Sequence, residues 1–408
     1  MRRVRLSLIL VFVAVAFLLT WYTLMWIGLA EERGGYSSTD FRVFYTAGRL
    51  AQSGHLSDIY NLNLQYNFQV NYFGVTINPS DLLTFNHPPL LIPIQALLFS
   101  EAFAASYWRW VIFLILLLVC SSILVGRLLL LRGWEKPATA LAVMGWALSY
   151  PVFLSVFKGQ DTALLLLGAM VWMYGLLTDQ DWLAGLGLAL TTVRPQIALA
   201  MAIPFLFKRR KIWWWFCAGA MLLVVYSVAM LGWRGVEEFM QVMLVSARGD
   251  GYGISPATMF NFIGMVTRIF PNANAKIVSI LVWIFFILVI LLLSFTWWKS
   301  KKIGTWQIIL MVTLCVFAAP HLHYHDLSLL LLAMVGMMVD GVERGILPLK
   351  AARLIPLSLS VLLVLADVTA LRFWGPYLLM LLLLTWPWWS TRLRISSKKK
   401  LMDKVQSP

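Results

Sequence analysis

The sequence predicts an all-α polytopic membrane protein, and three observations carry that reading. Hydrophobic residues make up 61% of the 408-residue chain and charged residues only 12%, a balance too apolar for a soluble fold of this length. Mean hydropathy is +0.80. Apolar runs of about 20 residues recur along the chain, long enough for a helix to cross a hydrocarbon core of about 30 Å. The alternating short strands of a membrane barrel do not dominate anywhere. The expected bundle has about ten to twelve transmembrane helices, one short re-entrant-type hairpin and a long first extracytoplasmic loop.

The net charge of +15 would suggest nucleic acid in a soluble protein. Here the basic residues cluster between apolar runs, as the positive-inside rule requires, so the lipid bilayer is the expected partner and nucleic acid is not. Cys120, Cys217 and Cys315 lie inside apolar runs without paired spacing, which reads as small packed residues rather than disulfides or metal ligands.

The first span runs roughly from Leu6 to Leu29, behind Arg2, Arg3 and Arg5. Its apolar stretch is too long for a signal peptide, so it reads as a retained helix with a cytoplasmic N-terminus. Residues 30–107 then form the first extracytoplasmic loop. They hold an amphipathic helix from Phe41 to Gln52, turns at Ser53-Gly54 and Asn78-Pro79-Ser80, and the proline-broken run FNHPPLLIPIQALLF, which reads as interfacial. Spans at Trp108–Leu131 and Ala138–Phe157 follow, and the second delivers Lys158-Gly159-Gln160-Asp161 to the outside. After a span at Thr162–Leu177 comes WLAGLGLALTTVRPQIALAMAIPFLF and then Lys208–Lys211. One straight crossing would put that basic cluster outside. Two short arms meeting at Arg194-Pro195-Gln196, each about 18 Å long, keep it inside and leave the tip within the protein.

Further spans are expected at Ile212–Leu231, Lys276–Trp298, Thr305–Ala319, Leu354–Ala370 and Pro376–Ser390, with another between Asp326 and Asp340, and an external loop over 232–275. Residues 1–390 thus read as one membrane-embedded domain and 391–408 as a basic cytoplasmic tail beside anionic lipid. Tryptophans such as Trp213–Trp215 and Trp386, Trp388 and Trp389 read as interfacial belts.

This topology puts the unusual polar residues on one side: Asp40, Asn86, His87, Lys158, Gln160, Arg194, Gln196, His321, His323, His325 and Asp326. Polar groups at membrane depth are functional candidates. Carboxylates, cations and imidazoles together suit glycosyl transfer from a lipid phosphate. A carboxylate removes the acceptor proton, cations stabilise the leaving phosphate, and imidazoles bond sugar hydroxyls. Blander readings stand beside these. Asp40 follows Ser37, Ser38 and Thr39 and could cap a helix. Lys158 could be a snorkelling anchor, Arg194 a plug for free carbonyls, and the His-x-His-x-His run a metal site if His321 and His325 shared a helical face. A transporter or flippase would line a path through both leaflets, whereas here the inner halves of the spans carry few polar residues.

The runs TDFRVFYTAGRLAQSGHLSDIYN, NHPPLLIPIQALLF, KGQDTALLLLGAMV, WLAGLGLALTTVRPQIALAMAIPFLFKRRK and PHLHYHDLSLLLLAM resemble, in order, blocks of glycosyltransferase family 87. These are polyprenyl-phosphate-mannose-dependent α-1,2-mannosyltransferases of the GT-C fold. The resemblance implies Asp40 as the catalytic carboxylate of the first external loop. It also implies that the His321–Asp326 run is the family's late external site loop and Arg194-Pro195-Gln196 its basic-Pro-Gln turn. On the residues themselves, Lys158 and Arg194 are expected at the donor phosphate, and Tyr45, Asn86, His87, Gln160, Gln196, His321, His323, His325 and Asp326 around sugar and acceptor. Asp161 stands where the family often has Asn. The expected partners are a polyprenyl-phosphate sugar donor and a lipid or glycolipid acceptor, in an inner or plasma membrane. Neither a metal nor a cofactor is implied, and the chain has no DxD motif or glycine-rich nucleotide loop.

Overall fold

The computed structural model describes residues 2–31, 35–74, 82–248 and 255–406, with side chains at 8–31, 35–74, 82–246 and 255–390. The expected turn at Asn78-Pro79-Ser80 and the side chains of the basic tail lie outside the described residues. Every regular element among the described residues is helical. In order these are α1 (Arg2–Glu31), α2 (Phe41–Gln52), α3 (Leu62–Phe73), α4 (Ile92–Leu98), α5 (Phe103–Leu131), α6 (Lys136–Ala147), α7 (Tyr150–Lys158), α8 (Thr162–Leu177) and α9 (Asp181–Leu190). Then come α10 (Pro195–Ala202), α11 (Arg210–Arg248), α12 (Phe262–Ile269), α13 (Ala275–Lys299), α14 (Thr305–Ala318), α15 (Leu330–Glu343), α16 (Leu349–Ala352), α17 (Ile355–Asp367) and α18 (Trp374–Gln406).

Among the described residues six helical segments are long and apolar enough to cross a bilayer, or seven if the bent pair α6–α7 is one span. The chain is therefore a multi-pass membrane protein. Burial sorts these segments. Only 11% of the apolar window of α1 is buried, against 94% for the segment Tyr324–Glu343 that contains α15. The first is lipid-facing and the second is the central post of the bundle. Two expected spans, α8 and α14, are instead short apolar helices, and α9 and α10 are short as the two hairpin arms require; all four pack against neighbouring helices.

Lipid tails are as apolar as leucine, so packing and small residues hold such a bundle together. The α8–α9 contact shows this. A Cβ at Gly168 would lie 2.8 Å from that of Leu190, one at Gly175 would lie 2.5 Å from the Ala184 nitrogen, and one at Gly187 would collide with the Trp172 backbone. Gly185 gives the other face of α9 the same close fit to α11. The two arms ending at Arg194 fold back as expected. Arg209, at the far end of the second arm, donates from Nε to Asp181 Oδ1, at the start of the first, at 2.7 Å.

Two expectations are corrected. The span Ala138–Phe157 is two helices bent by 44°. Pro151 opens α7 without an N–H, and Tyr22 of α1 donates its hydroxyl to the freed Leu148 carbonyl at 2.8 Å. The loop expected over 232–275 begins as helix: α11 breaks only at Gly232, φ 69°, and runs on to Arg248. Its second half docks on the turn before α3, with Arg234 3.2 Å from Asp58 and Phe239 against Tyr60. The histidine run is a loop, as Pro320 suggests, so His321 and His325 do not share a helical face. Residues 319–323 are non-helical, and a 3-10 turn spans Tyr324–Leu329.

Gly187→Ala is expected to lower stability by about 1–3 kcal/mol or more through overpacking. Gly28→Ala, on α1 with nothing within 4 Å of its Cβ, should be neutral. Thermal unfolding of the detergent-solubilised variants checks both.

Candidate active site

Five stretches far apart in sequence converge on one cavity of about 730 Å³. Each is positioned by packing that its own sequence supplies.

Asp40 sits at the start of α2, whose buried face carries Phe41, Val43, Phe44 and Tyr45. The Phe41 ring is wedged among Phe99, Phe103 and Tyr107. The carboxylate makes no cap bond to its own helix; the upstream turn is closed instead by the Ser38 and Thr39 hydroxyls. Asp40 Oδ2 accepts from Gln160 Nε2 at 2.8 Å.

Gln160 follows the left-handed Gly159 (φ 70°) that ends α7. A Cβ there would lie 2.7 Å from Phe41, so glycine meets both the backbone angle and the close approach to the Asp40 turn. Trp110 of α5 donates to the Gly159 carbonyl at 2.8 Å, and Tyr107 to that of Phe157 at 2.7 Å.

Arg194 occupies the break between α9 and α10 and is only 8% exposed. Its Nη1 donates to Asp161 Oδ1 at 3.0 Å, its Nε lies 3.5 Å from Asp326 Oδ1, and its Nη2 donates to Gln160 Oε1 at 3.4 Å. The Gln160 amide thus joins Asp40 to Arg194: nitrogen toward the carboxylate, oxygen toward the guanidinium, the only orientation that satisfies both. Burial favours the neutral form of Asp161, but Arg194 and His87 outweigh it and hold the carboxyl below the usual range. The same competition, won by Asp161 and Asp326, raises Arg194.

His87 lies on a non-helical segment stitched to α3 by two glutamines. Gln65 Oε1 accepts from the Phe85 N–H, and Gln69 donates to the Leu83 carbonyl, both at 2.8 Å. Tyr60 donates to the His87 carbonyl at 2.7 Å. His87 Nδ1 is 2.8 Å from Asp161 Oδ2 and 2.9 Å from Arg194 Nη1. One nitrogen cannot donate to the first and accept from the second. The carboxylate is the stronger partner and Nη1 already has Asp161, so we place the proton on Nδ1. Asn86, beside it, donates to Ser246 Oγ at 3.2 Å.

The histidine loop is pinned from outside. Asn261 donates to the Ala319 carbonyl at 2.6 Å, and the Phe260 N–H to the Leu322 carbonyl at 3.1 Å. Gln196 donates to the His321 carbonyl at 3.3 Å. Asp326 accepts from the His323 N–H at 3.3 Å and from the Thr162 hydroxyl at 3.1 Å. The rings of His321, His323 and His325 succeed one another at 4.7 and 5.8 Å. Among the described residues no group of three or more His, Cys, Asp or Glu side chains is placed to hold a metal ion. Burial, with His323 adding to it, pushes His321 well below the ordinary imidazole value. Burial also lowers His323, against the pull of Asp326 and Asp40.

All but one of the expected site residues line this cavity. The exception is Tyr45, fully buried, with its hydroxyl given to the Ser100 and Glu101 carbonyls; it braces α2. Lys158 is half-buried on the wall, 5.8 Å from the Phe157 ring centroid. No carboxylate among the described residues is within ion-pair reach of it. The other walls are apolar: Met240, Met243 and Leu244 of α11, Trp283 and Phe286 of α13, and Leu199. Sequence reasoning did not place Asp161 at the base of the site, nor Tyr150, Asp367 and Arg372 on its wall. The acid immediately after Gln160 was a usable signal for the first. Nothing in sequence points to the others.

Arg194→Gln leaves two buried carboxylates without their cation and should cost about 3–5 kcal/mol in unfolding experiments. Adding Asp161→Asn should recover part of that loss. A pH dependence follows from the histidines. Their folded values lie below the ordinary 6.5, so the neutral folded form is favoured. That contribution is complete above pH 6.5 and is lost as pH falls through the folded values. The melting temperature should therefore drop on acidification below 6.5, and less steeply in His321→Gln/His323→Gln; an unchanged slope would assign the loss to other groups.

A family model described as glycosyltransferase family 87 matches residues 85–320, more than half of the chain. No curated protein and no solved structure matches it. The matched stretch takes in His87, Lys158, Gln160 and Arg194, while Asp40 and the histidine loop flank it. The chain belongs to glycosyltransferase family 87, and it is a membrane glycosyltransferase.

Proposed function

We propose that this protein moves a hexose, with mannose the expected sugar, from a polyprenyl-phosphate donor to a lipid or glycolipid acceptor. The reaction takes place on the extracytoplasmic side of an inner or plasma membrane, with both termini cytoplasmic. The observation that carries this reading is the placement of Asp40. It is a carboxylate at a cavity wall, excused from capping its own helix and oriented by Gln160. Arg194 and the His321–Asp326 loop face the same space.

In this reading Asp40 accepts the proton of the acceptor hydroxyl as that oxygen attacks the anomeric carbon. The bond from that carbon to the phosphate oxygen breaks, the electron pair leaves with the lipid phosphate, and one displacement inverts the centre. Charge grows on the phosphate, so cations there lower the barrier. Lys158, with no carboxylate partner among the described residues, supplies the first. Arg194 supports it from a guanidinium already balanced by Asp161 and Asp326. His321 and His323 stay neutral at pH 7 and bond sugar hydroxyls. Nδ1 of His321 is buried and has no partner among the described residues, a costly state that a ligand hydroxyl relieves. The apolar walls from α11 and α13 suit the isoprenoid chain.

Proteoliposomes supplied with labelled polyprenyl-phosphate mannose test the reading. Asp40→Asn should cut transfer by about 10²–10⁴-fold with an unchanged melting temperature. A folded Asp40→Asn protein with full activity removes Asp40 as the base. Lys158→Ala should lower kcat more than it raises the donor KM.

A further inference from the structure

The cavity has a second polar cluster, two of whose three residues, Asp367 and Arg372, lie beyond the stretch matched by the family. Tyr150 donates its hydroxyl to Asp367 Oδ2 at 2.6 Å, and Arg372 Nε lies 3.1 Å from Asp367 Oδ1. All three line the cavity, as do Tyr324 and Phe260. The Tyr324 ring stands edge-on to Tyr150 at 5.6 Å and to Phe260 at 4.8 Å.

Two features set this cluster apart from a structural ion pair. Asp367 is the last residue of α17, where the helix dipole disfavours a carboxylate. It is nevertheless kept there on the cavity wall. Among the described residues its bonding is also incomplete. A carboxylate offers about four acceptor positions and a guanidinium five donors, and the Tyr150 and Arg372 contacts use one position on each Asp367 oxygen and one Arg372 nitrogen. What remains is an acceptor and a donor side by side, next to aromatic faces. That arrangement recognises neighbouring hydroxyls on a ring.

α7 measures the separation from Asp40. Tyr150 opens it and Lys158 closes it, about 12 Å apart at 1.5 Å per residue, and Gln160 follows. This leaves room for a donor sugar and an acceptor ring together. We propose that Tyr150, Asp367 and Arg372 form the acceptor subsite, and that the acceptor headgroup is itself a carbohydrate, held through a pair of adjacent hydroxyls. The assignment of this ligand as acceptor rests on the transferase reading above; the carbohydrate subsite does not.

The test is therefore binding first. Hexyl α-mannoside, with hexanol as the hydroxyl-poor control, is titrated into the full-length protein in lipid nanodiscs. Wild type should bind the glycoside and not hexanol. Asp367→Asn and Arg372→Gln should each weaken glycoside binding by about tenfold, the scale of one hydrogen bond to a charged group. Arg372 is 58% exposed, so its variant guards against a folding defect at Asp367. In transfer assays the same variants should raise the acceptor KM more than the donor KM. Equal binding by wild type and both variants, or a loss confined to His323→Ala, overturns the proposal. Asp367-dependent binding without any transfer from polyprenyl-phosphate mannose by wild type keeps the subsite and removes that donor reading instead.

Discussion

The site depends on one buried cation between two buried carboxylates. Arg194 touches Asp161 and approaches Asp326, and these three residues come from the α9–α10 break, the turn before α8 and the turn before α15. Desolvating a guanidinium or a carboxylate alone costs several kcal/mol, so none of the three segments is stable in its observed place without the others. Their mutual neutralisation fixes the segments to one another, and Gln160 then extends that fixed point to Asp40. The carboxylate at the cavity wall is oriented by a chain of contacts that starts in the dry interior.

The surrounding bundle is arranged so that irregular backbone can exist there at all. Inside a bilayer, free N–H and C=O groups are tolerated only where protein or a wet cavity meets them. The non-helical segments obey this. Gln65 and Gln69 satisfy the stretch before His87, Trp110 and Tyr107 the turn after α7, and Asn261 and Phe260 the histidine loop. Each partner lies on a helix or its flank, held by apolar packing. Glycines between α8 and α9 allow the backbone contact that keeps the Arg194 hairpin against α8. Close packing of the spans and precise placement of the site are one construction.

The cavity wall divides by chemistry. Asp40, Lys158, Gln160 and the histidines form one face, methionine, leucine, tryptophan and phenylalanine from α10, α11 and α13 another. A ligand that is polar at one end and greasy at the other meets a matching environment at each. The neutral imidazoles and the internally compensated Arg194 leave Lys158 as the cation on this wall with the least local compensation among the described residues.

How much of this was legible in the sequence differs by element. The amphipathic helix Phe41–Gln52 and the apolar helix Thr162–Leu177 coincide with their expected bounds, because hydrophobic periodicity and run length are local properties. The hairpin at Arg194 was legible from proline and charge placement. The bend at Ser149, the helical continuation past Gly232 and the 3-10 turn at Tyr324 were not, since tertiary contacts satisfy their backbone and decide their shape. Asp40 was visible as a misplaced acid, yet its freedom from capping depends on Gln160, 120 residues away. Composition, run length and charge fixed the class, the membrane and the set of polar residues, since each is read within a window of one span. Only the tertiary structure decided which of them meet. It gave Tyr45 to the packing of α2, paired Arg194 with Asp161 and Asp326, and brought Tyr150 to Asp367. Such pairings depend on distances between helices, and no local pattern in the chain encodes those.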